Sequence, residues 1–293
     1  MTSPYGYSNL MTDKLNLNNQ NLTEIPADVL ISSLEMVTAR QNQLVSLPDA
    51  LYQLPYLRLL SVGANQIAHL SEAIGQLQTL THLFIDTNPL PQIPNTIGDL
   101  IHLHTLDIAH CALTHLPESL KNLQKLAFLY ASDNALTVCP EWIGELSALT
   151  YLGMTDNQLE DLPNSIGNLP NLIELRLYRN LLTRLPDSIG QLKNLRELHL
   201  HDNVLGILPD SIGDMTALQI LDLRNNHLKA IPEIIGNLKN LLYLDLRGNQ
   251  LDTLPTAITD LPNLQKIDLR WNHFDDFSPA MRELQERGCL VYI

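Results

Sequence analysis

Residues 185–205 read LPDSIGQLKNLRELHLHDNVL, and residues 162–182 read LPNSIGNLPNLIELRLYRNLL. The two stretches lie 23 residues apart and carry leucine, isoleucine, glycine and asparagine at equivalent places. The same frame extends in both directions, because an asparagine recurs at this interval from Asn42 to Asn272, with Cys111 as the one replacement. A period of this length predicts a repeat architecture in which each unit packs on its neighbours.

The spacing of apolar residues predicts one strand and one short helical segment in each repeat. In Leu221-x-Leu223, a period of two places both leucines on one side of a strand and the residue between them on the other. After the turn, Ile166, Leu169 and Leu172 recur at every third residue, which favours a helical or 3₁₀ segment. A proline opens most of these segments, where its missing N–H costs little.

The turn asparagine is predicted to be buried and to bond backbone groups through its amide. Cys111 can fill the same space, but a thiol bonds weakly, so we expect slightly weaker local order there.

The consensus LPxxIGxLxxLxxLxLxxNxL resembles the repeat of the Ras-group intracellular leucine-rich-repeat proteins and of the bacterial proteins built from the same unit. The resemblance covers nearly the whole chain. It implies an α/β solenoid, a right-handed arc with a parallel β-sheet on the concave face and short helical or 3₁₀ segments on the convex face. It also implies a scaffold or binding role, with a small GTPase or signalling protein as one partner class. In bacteria such proteins are often effectors delivered into host cells, and no catalytic residues come with the resemblance.

The frame also predicts the organisation of the chain. We assign residues 1–12 to an N-terminal tail or cap, residues 13–277 to an array of about twelve repeats, and residues 278–293 to a degenerate capping repeat. The first repeat is one residue short, with Gln20 in place of the turn asparagine and Thr12 in place of the leading leucine. Arg287 stands where complete repeats have leucine, so we expect that face to meet water and the array to end there.

Composition excludes several classes of partner. A net charge of −14 argues against nucleic acid and anionic membranes. The sequence has no secretory signal pattern and no run of eighteen apolar residues. We therefore expect a cytoplasmic monomer without a cofactor, with delivery into a host cell as the alternative location. The three scattered cysteines are predicted to be reduced.

Function must be sought on the outward side of the strands, at the residues six, four, two and one before each turn position. In the middle repeats these positions hold several aromatic side chains. They are Phe84, Phe128, Tyr130, Tyr151 and Tyr178. Clustered aromatic side chains favour a binding surface, although the rings could instead only stack on their neighbours.

Towards the C-terminus the same positions carry two rows of charge. The acidic row is Asp222, Asp245 and Asp268, and the basic row is Arg224, Arg247 and Arg270. The rows could neutralise each other as an ion-pair lattice, in which each exposed pair contributes little. Alternatively, the arginines could recognise carboxylates of a partner. Arg176 adds to the basic content, and Trp271 could anchor a contact.

One constellation could carry chemistry. Glu197, His199 and His201 share one side of a strand, and H-x-H is a plausible start to a zinc site, with Asp222 as a further ligand. Flanking arginines disfavour a cation there, and no catalytic motif occurs, so we predict no enzyme.

Three hypotheses follow from the sequence. The leading one is a protein partner bound on the concave face, with His199 and His201 among the contact residues. A second is a unit that self-assembles through its terminal strand. A remote third is a metal-dependent hydrolase at His199 and His201.

Overall fold

A computed structural model describes residues 13–293 of the chain. These residues form two compact units, which divide after Ala135. The proposed tail of residues 1–12, including Thr12, lies outside the described residues, and the domain boundaries given above stay predictions.

Each repeat contributes one three-residue strand, because only the Leu-x-Leu core of the motif has the alternation of a strand. In the described part of the first unit the strands are β1 Lys14–Asn16, β2 Met36–Thr38, β3 Leu59–Ser61, β4 His82–Phe84, β5 Thr105–Asp107 and β6 Phe128–Tyr130. In the second unit they are β7 Tyr151–Gly153, β8 Glu174–Arg176, β9 Glu197–His199, β10 Ile220–Asp222, β11 Tyr243–Asp245, β12 Lys266–Asp268 and β13 Leu290–Tyr292. Within each unit neighbouring strands pair in parallel and in chain order.

Short helical segments return the chain from one strand to the next. The 3₁₀ segments are Ala27–Val29, Glu72–Gln76, Asn95–Asp99, Glu118–Asn122, Glu141–Glu145, Asn164–Asn168, Asp187–Gln191, Asp210–Asp214, Glu233–Asn237 and Thr256–Asp260. Two α-helices, α1 Asp49–Tyr52 and α2 Pro279–Glu286, occupy the equivalent place in two other repeats. The expected proline lies at the residue before the segment, as at Pro163, whose carbonyl accepts from the N–H of Ile166 at 3.1 Å.

The core of each unit consists of the inward leucines of the strands and the isoleucines of the 3₁₀ segments. Leu198 and Leu200 are fully buried on one side, and Ile189 and Leu192 are fully buried on the other. Each such side chain contributes about 1.5–3 kcal/mol in gross transfer free energy. The leucine-rich-repeat solenoid predicted from the periodicity is therefore confirmed in both units.

The turn asparagine connects two neighbouring repeats by hydrogen bonds. Nδ2 of Asn203 donates to the carbonyls of Leu177 at 3.0 Å and Leu200 at 2.9 Å, and its Oδ1 accepts from the N–H of Leu182 at 3.0 Å. Leu177 and Leu182 belong to the preceding repeat, so each asparagine closes its own turn and binds the neighbouring turn. This arrangement confirms the predicted role of the asparagine.

Cys111 satisfies this position only in part. Its Sγ lies 3.7 Å from the carbonyl oxygen of Ile85 and 3.5 Å from that of Ala109. The N–H of Leu90, which matches the donors to Oδ1 in other repeats, instead donates to the carbonyl of Asn88 at 2.8 Å. The sulfur therefore replaces N–H···O bonds with longer and weaker ones.

Replacing Cys111 with asparagine is expected to stabilise the first unit by about 1 kcal/mol, because an amide donates more strongly to the same two carbonyls. Urea unfolding of both proteins, followed by circular dichroism, measures the difference. The interpretation is wrong if the C111N midpoint is unchanged or lower.

The C-terminal repeat differs from most of the others in carrying the α-helix α2 in place of a 3₁₀ segment. Ser278 caps α2 by accepting from the N–H of Met281 at 3.3 Å. Arg287 is exposed, and its guanidinium also donates to the carbonyls of Thr259 and Leu261 in the preceding repeat. The residue that breaks the leucine pattern thus bonds two backbone acceptors that a leucine side chain cannot bond. Within residues 13–293, none of the helices has the length and apolar character that a membrane crossing requires.

Candidate functional site

The candidate site is the side of the strands that the core leaves uncovered. We call it the strand face and define it by the side chains six, four, two and one residues before each turn position. The residue just before the turn position has a left-handed φ, between 50° and 62°. Even Arg179 and Trp271 adopt it, because the chain must turn there before the asparagine can reach both carbonyls. Backbone geometry therefore fixes which variable residues the strand face displays.

In the first unit, aromatic rings of the strand face and the adjacent ring of His104 form a chain. The ring centroids of His82 and Phe84 lie 6.4 Å apart, those of His82 and His104 5.8 Å apart, and those of His104 and Phe128 5.4 Å apart. Phe84, Phe128 and the predicted Tyr130 are half-buried. Burial, with a contribution from His104, lowers the pKa of His82. Sequence reasoning did not include His104 among the strand-face residues, because it lies seven residues before the turn position.

Beside these rings is a cluster of carboxylates and a guanidinium. Arg40 forms a two-pronged ion pair with Asp86, with both N···O distances at 2.7 Å. Asp107 lies nearby on β5, and its Oδ1 accepts from the N–H of Ala109 at 3.1 Å. Burial raises the pKa of Asp107 to about 6, and the charge on Asp86 adds to this shift. Ionisation of the Asp107 carboxyl group therefore lowers the stability of the folded protein.

Replacing Asp107 with asparagine is expected to stabilise the protein at pH 7.5 by about 1–2 kcal/mol, after allowance for partial exposure. The folded-state pKa lies above the unfolded value of 3.8, so the wild type loses stability as pH rises from about 4 to 6. Asparagine keeps an acceptor for the N–H of Ala109 but never ionises. Urea unfolding at pH 7.5 and pH 4 tests this, and an equal gain at both values would contradict the assignment.

In the second unit the predicted tyrosines contact charged and imidazole groups. The guanidinium carbon of Arg176 lies 5.8 Å from the centroid of the Tyr151 ring. Tyr178 stacks on His201 with a centroid distance of 4.2 Å and an interplanar angle of 11°. Both tyrosines are half-buried. The rings thus use part of their surface in stacking and present the rest to solvent.

The two charged rows are present and pair mainly within each repeat. Arg247 lies 2.6 Å from Asp245, Arg270 lies 2.8 Å from Asp268, and Arg224 lies 3.6 Å from Asp222. One pair also crosses between strands, with Arg247 3.5 Å from Asp268. These are the contacts of the predicted ion-pair lattice, and whether its arginines also recognise a partner stays open.

The lattice is uneven in burial. Asp268 is completely buried, whereas the Arg270 side chain is 40% exposed. Burial opposes ionisation of Asp268, but Arg270 and Arg247 outweigh it and lower its pKa. The carboxylate of Asp268 therefore lies beneath a guanidinium group that remains accessible, and Trp271, 71% exposed, lies beside that guanidinium.

A surface cavity of about 220 Å³ opens between strands β9 and β12 on the strand face. Its lining consists of His199, Ile220, Leu221, Asp222, Tyr243, Leu244, Asp245 and Lys266. Tyr243, 42% exposed, was not singled out from the sequence, although it occupies an outward position of the frame. Ile220, which also lines the cavity, is the register partner of Tyr243 on the neighbouring strand. Comparing equivalent positions of successive repeats in the sequence could therefore have identified Tyr243.

The structure separates the two histidines of the H-x-H pair. Nε2 of His199 lies 3.1 Å from a carboxylate oxygen of Glu197, whereas Nδ1 of His201 lies 3.0 Å from one of Asp222. His201 is 7% exposed and lies against Tyr178. Among the described residues, the group with metal-ligand spacing is Glu174, Glu197 and His199, whose donor atoms lie within 4.8 Å of one another. Glu174, on β8, was absent from the ligand set considered from the sequence.

The cysteine thiols are unsuited to nucleophilic chemistry. Burial raises the pKa of Cys139 to about 12 and that of Cys111 to about 11. Burial also raises the pKa of Cys289. Because the thiolate is the nucleophile, a raised pKa lowers the reactive fraction of each thiol at neutral pH.

The sequence matches the family described as leucine-rich repeat region over residues 68–150 and 141–226, and that described as leucine rich repeat over residues 216–274. A comparison with curated proteins found no match.

Three solved structures show the same fold. A leucine-rich-repeat protein of Leptospira interrogans is 37% identical, with a TM-score of 0.90, over 96% of this chain and 72% of that one. An internalin of Listeria monocytogenes is 22% identical, with a TM-score of 0.74, over 95% of this chain and 86% of that one. The plant peptide hormone receptor RGFR1, in complex with RGF2, is 26% identical, with a TM-score of 0.59, over 89% of this chain and 51% of that one. The repeat geometry, the family match and the Leptospira relative together show that the chain belongs to the leucine-rich-repeat family.

Proposed function

We propose that this chain is a protein-interaction module that binds its partner on the strand face, with the strongest contacts in the second unit. The observation that supports this proposal most directly is the cavity between β9 and β12. Ile220 and Tyr243 give it apolar surface, while Asp245 and Lys266 bring opposite charges to its lining. A cavity of this size accepts one side chain of a partner, and the surrounding charges orient it.

The neighbouring rings extend this contact surface. Tyr178, stacked on His201, and Tyr151, beneath Arg176, are held in place by those contacts. A ring that is already ordered loses little conformational entropy when a partner covers it. Preordered tyrosines and arginines are the residue types that contribute most to protein interfaces.

The relatives support a proteinaceous partner. The plant receptor named above is described as a peptide hormone receptor and was solved in complex with RGF2. Resemblance to Ras-group proteins makes a small GTPase a defined candidate. Resemblance to bacterial effectors makes a host protein a second candidate partner, which the chain would bind after delivery into a host cell.

The test compares three immobilised proteins: the wild type, a strand-face variant with Tyr151, Tyr178 and Tyr243 changed to alanine, and a control. The control carries N164A and D187A, at exposed residues of the 3₁₀ segments. Each is incubated with bacterial lysate, eukaryotic lysate and purified small GTPases in both nucleotide states, and retained proteins are quantified by mass spectrometry.

We expect at least one protein to be retained equally by the wild type and the control, and roughly 30-fold less by the strand-face variant. Circular dichroism and thermal unfolding establish that all three proteins are folded. Equal retention by the strand-face variant would overturn the proposal.

A second candidate, self-assembly, has one specific observation in its favour. Leu290, Tyr292 and Ile293, in or beside the terminal strand β13, are 58%, 42% and 55% exposed. Light scattering between about 0.01 and 1 mM decides this candidate, since a constant monomer mass excludes it and a mass that rises with concentration supports it.

A further inference from the structure

We propose that Glu174, Glu197 and His199 form a binding site for a first-row divalent transition metal such as Zn²⁺. The site goes beyond partner binding and differs from an H-x-H site. It uses one histidine of that pair and adds a carboxylate from the neighbouring strand.

The strand pairing places the three donors together. Glu174 and Glu197 are direct partners in the parallel register of β8 and β9, and His199 lies two residues beyond Glu197 on the same side of β9. One donor atom from each lies within 4.8 Å of the others. Around a metal with bonds of about 2.0–2.2 Å, such atoms lie about 3.3–3.6 Å apart. Rotation of the long glutamate side chains supplies the remaining ångström.

The two carboxylates of the cluster attract a cation, and the ion pair of Glu174 with Arg176 opposes that attraction in part. Two carboxylates in register on adjacent strands repel each other, and they lie in surroundings where the Glu174 side chain is 22% exposed and that of Glu197 is 37% exposed. A divalent ion between them removes the repulsion. Partial burial strengthens the attraction relative to a fully solvated pair.

Arg176 orients the carboxylate of Glu174 but bonds only one of its two oxygens. Its Nε donates to Oε1 of Glu174, which leaves the second oxygen of that carboxylate available. The guanidinium also lies over the ring of Tyr151. A hydrogen-bonded partner that fixes a ligating carboxylate is a recurrent feature of metal sites. The positive charge of Arg176 weakens the binding of any cation, and the two carboxylates outnumber it.

The donor set selects the class of metal. Imidazole together with carboxylates suits zinc, iron, cobalt and nickel, whereas calcium and magnesium prefer oxygen ligands alone. Three protein donors leave coordination positions for water or for a partner. His199 also lines the cavity, so a bound metal lies beside the proposed contact surface. That link rests on the proposed function, but metal binding itself does not.

The experiment titrates tag-free, metal-stripped protein with Co²⁺ at pH 7.5, without a partner, and records absorbance and the metal bound after equilibrium dialysis. H199N and E197Q test the donors. H227N is the matched control, because His227 is exposed and lies outside the cluster. Thermal unfolding of each apo-protein establishes that it is folded.

We expect one saturable Co²⁺ per chain, with visible bands of nitrogen and oxygen ligation. Affinity should fall at least tenfold in both H199N and E197Q and be unchanged in H227N. Zn²⁺ should displace the cobalt. Absence of saturable binding in the wild type, equal affinity in H199N, or an intense near-ultraviolet band from thiolate ligation would each overturn the assignment.

Discussion

Replacing Asn203 with alanine is expected to lower the free energy of unfolding by about 3–5 kcal/mol. The change removes two bonds donated to the carbonyls of Leu177 and Leu200 and the acceptor of the Leu182 N–H. These groups lie in the interior, with Asn203 itself only 5% exposed. Each buried group left without a partner costs about 1–3 kcal/mol.

The matched control is Asn171→Ala, because Asn171 is exposed and makes one bond, from Nδ2 to the carbonyl of Ser147 at 2.9 Å. Its expected cost is below about 1 kcal/mol. Urea unfolding gives both values, and hydrogen exchange at the Leu182 amide reports the lost acceptor directly. If N203A costs no more than N171A, the asparagine ladder does not stabilise the array.

Replacing Gly190 with alanine is expected to cost about 2–3 kcal/mol. A Cβ built at Gly190 would lie 2.4 Å from the carbonyl oxygen of Ser211 in the next repeat. That oxygen belongs to the backbone, so relief requires a shift of one repeat against another rather than a rotation of a side chain. The recurrent Ile-Gly pair therefore allows neighbouring 3₁₀ segments to pack closely.

Gly206→Ala is the control, because a Cβ there would meet nothing within 4 Å. We expect a change within about 0.5 kcal/mol, since an exposed surface position has no contact to lose. Thermal and urea unfolding compare the two variants. Equal stability of G190A and G206A would show that the neighbouring repeat moves aside at little cost.

The strand face shows how far a repeat frame predicts a binding surface. The frame placed Tyr151, Tyr178 and the Asp/Arg rows on the side of the strands away from the leucine core, because the period of two fixes the side on which each residue lies. It did not identify the cavity around Tyr243 or the proximity of Glu174 to Glu197 and His199. Both depend on residues of different repeats, and on which rotamer each long side chain adopts against its neighbours.

The sequence by itself determined the solenoid fold of each unit, the frame that places the strands and turns within residues 13–293, and the variable positions on the strand face. These features follow from the local periodicity of the sequence, which recurs in successive repeats. Only the tertiary structure decided that His201 stacks on Tyr178 while His199 joins Glu174 and Glu197. It also decided that Asp268 is buried beneath its arginines. The physical reason is that outward side chains have no periodic constraint: their partners are set by register, side-chain length and charge across neighbouring strands.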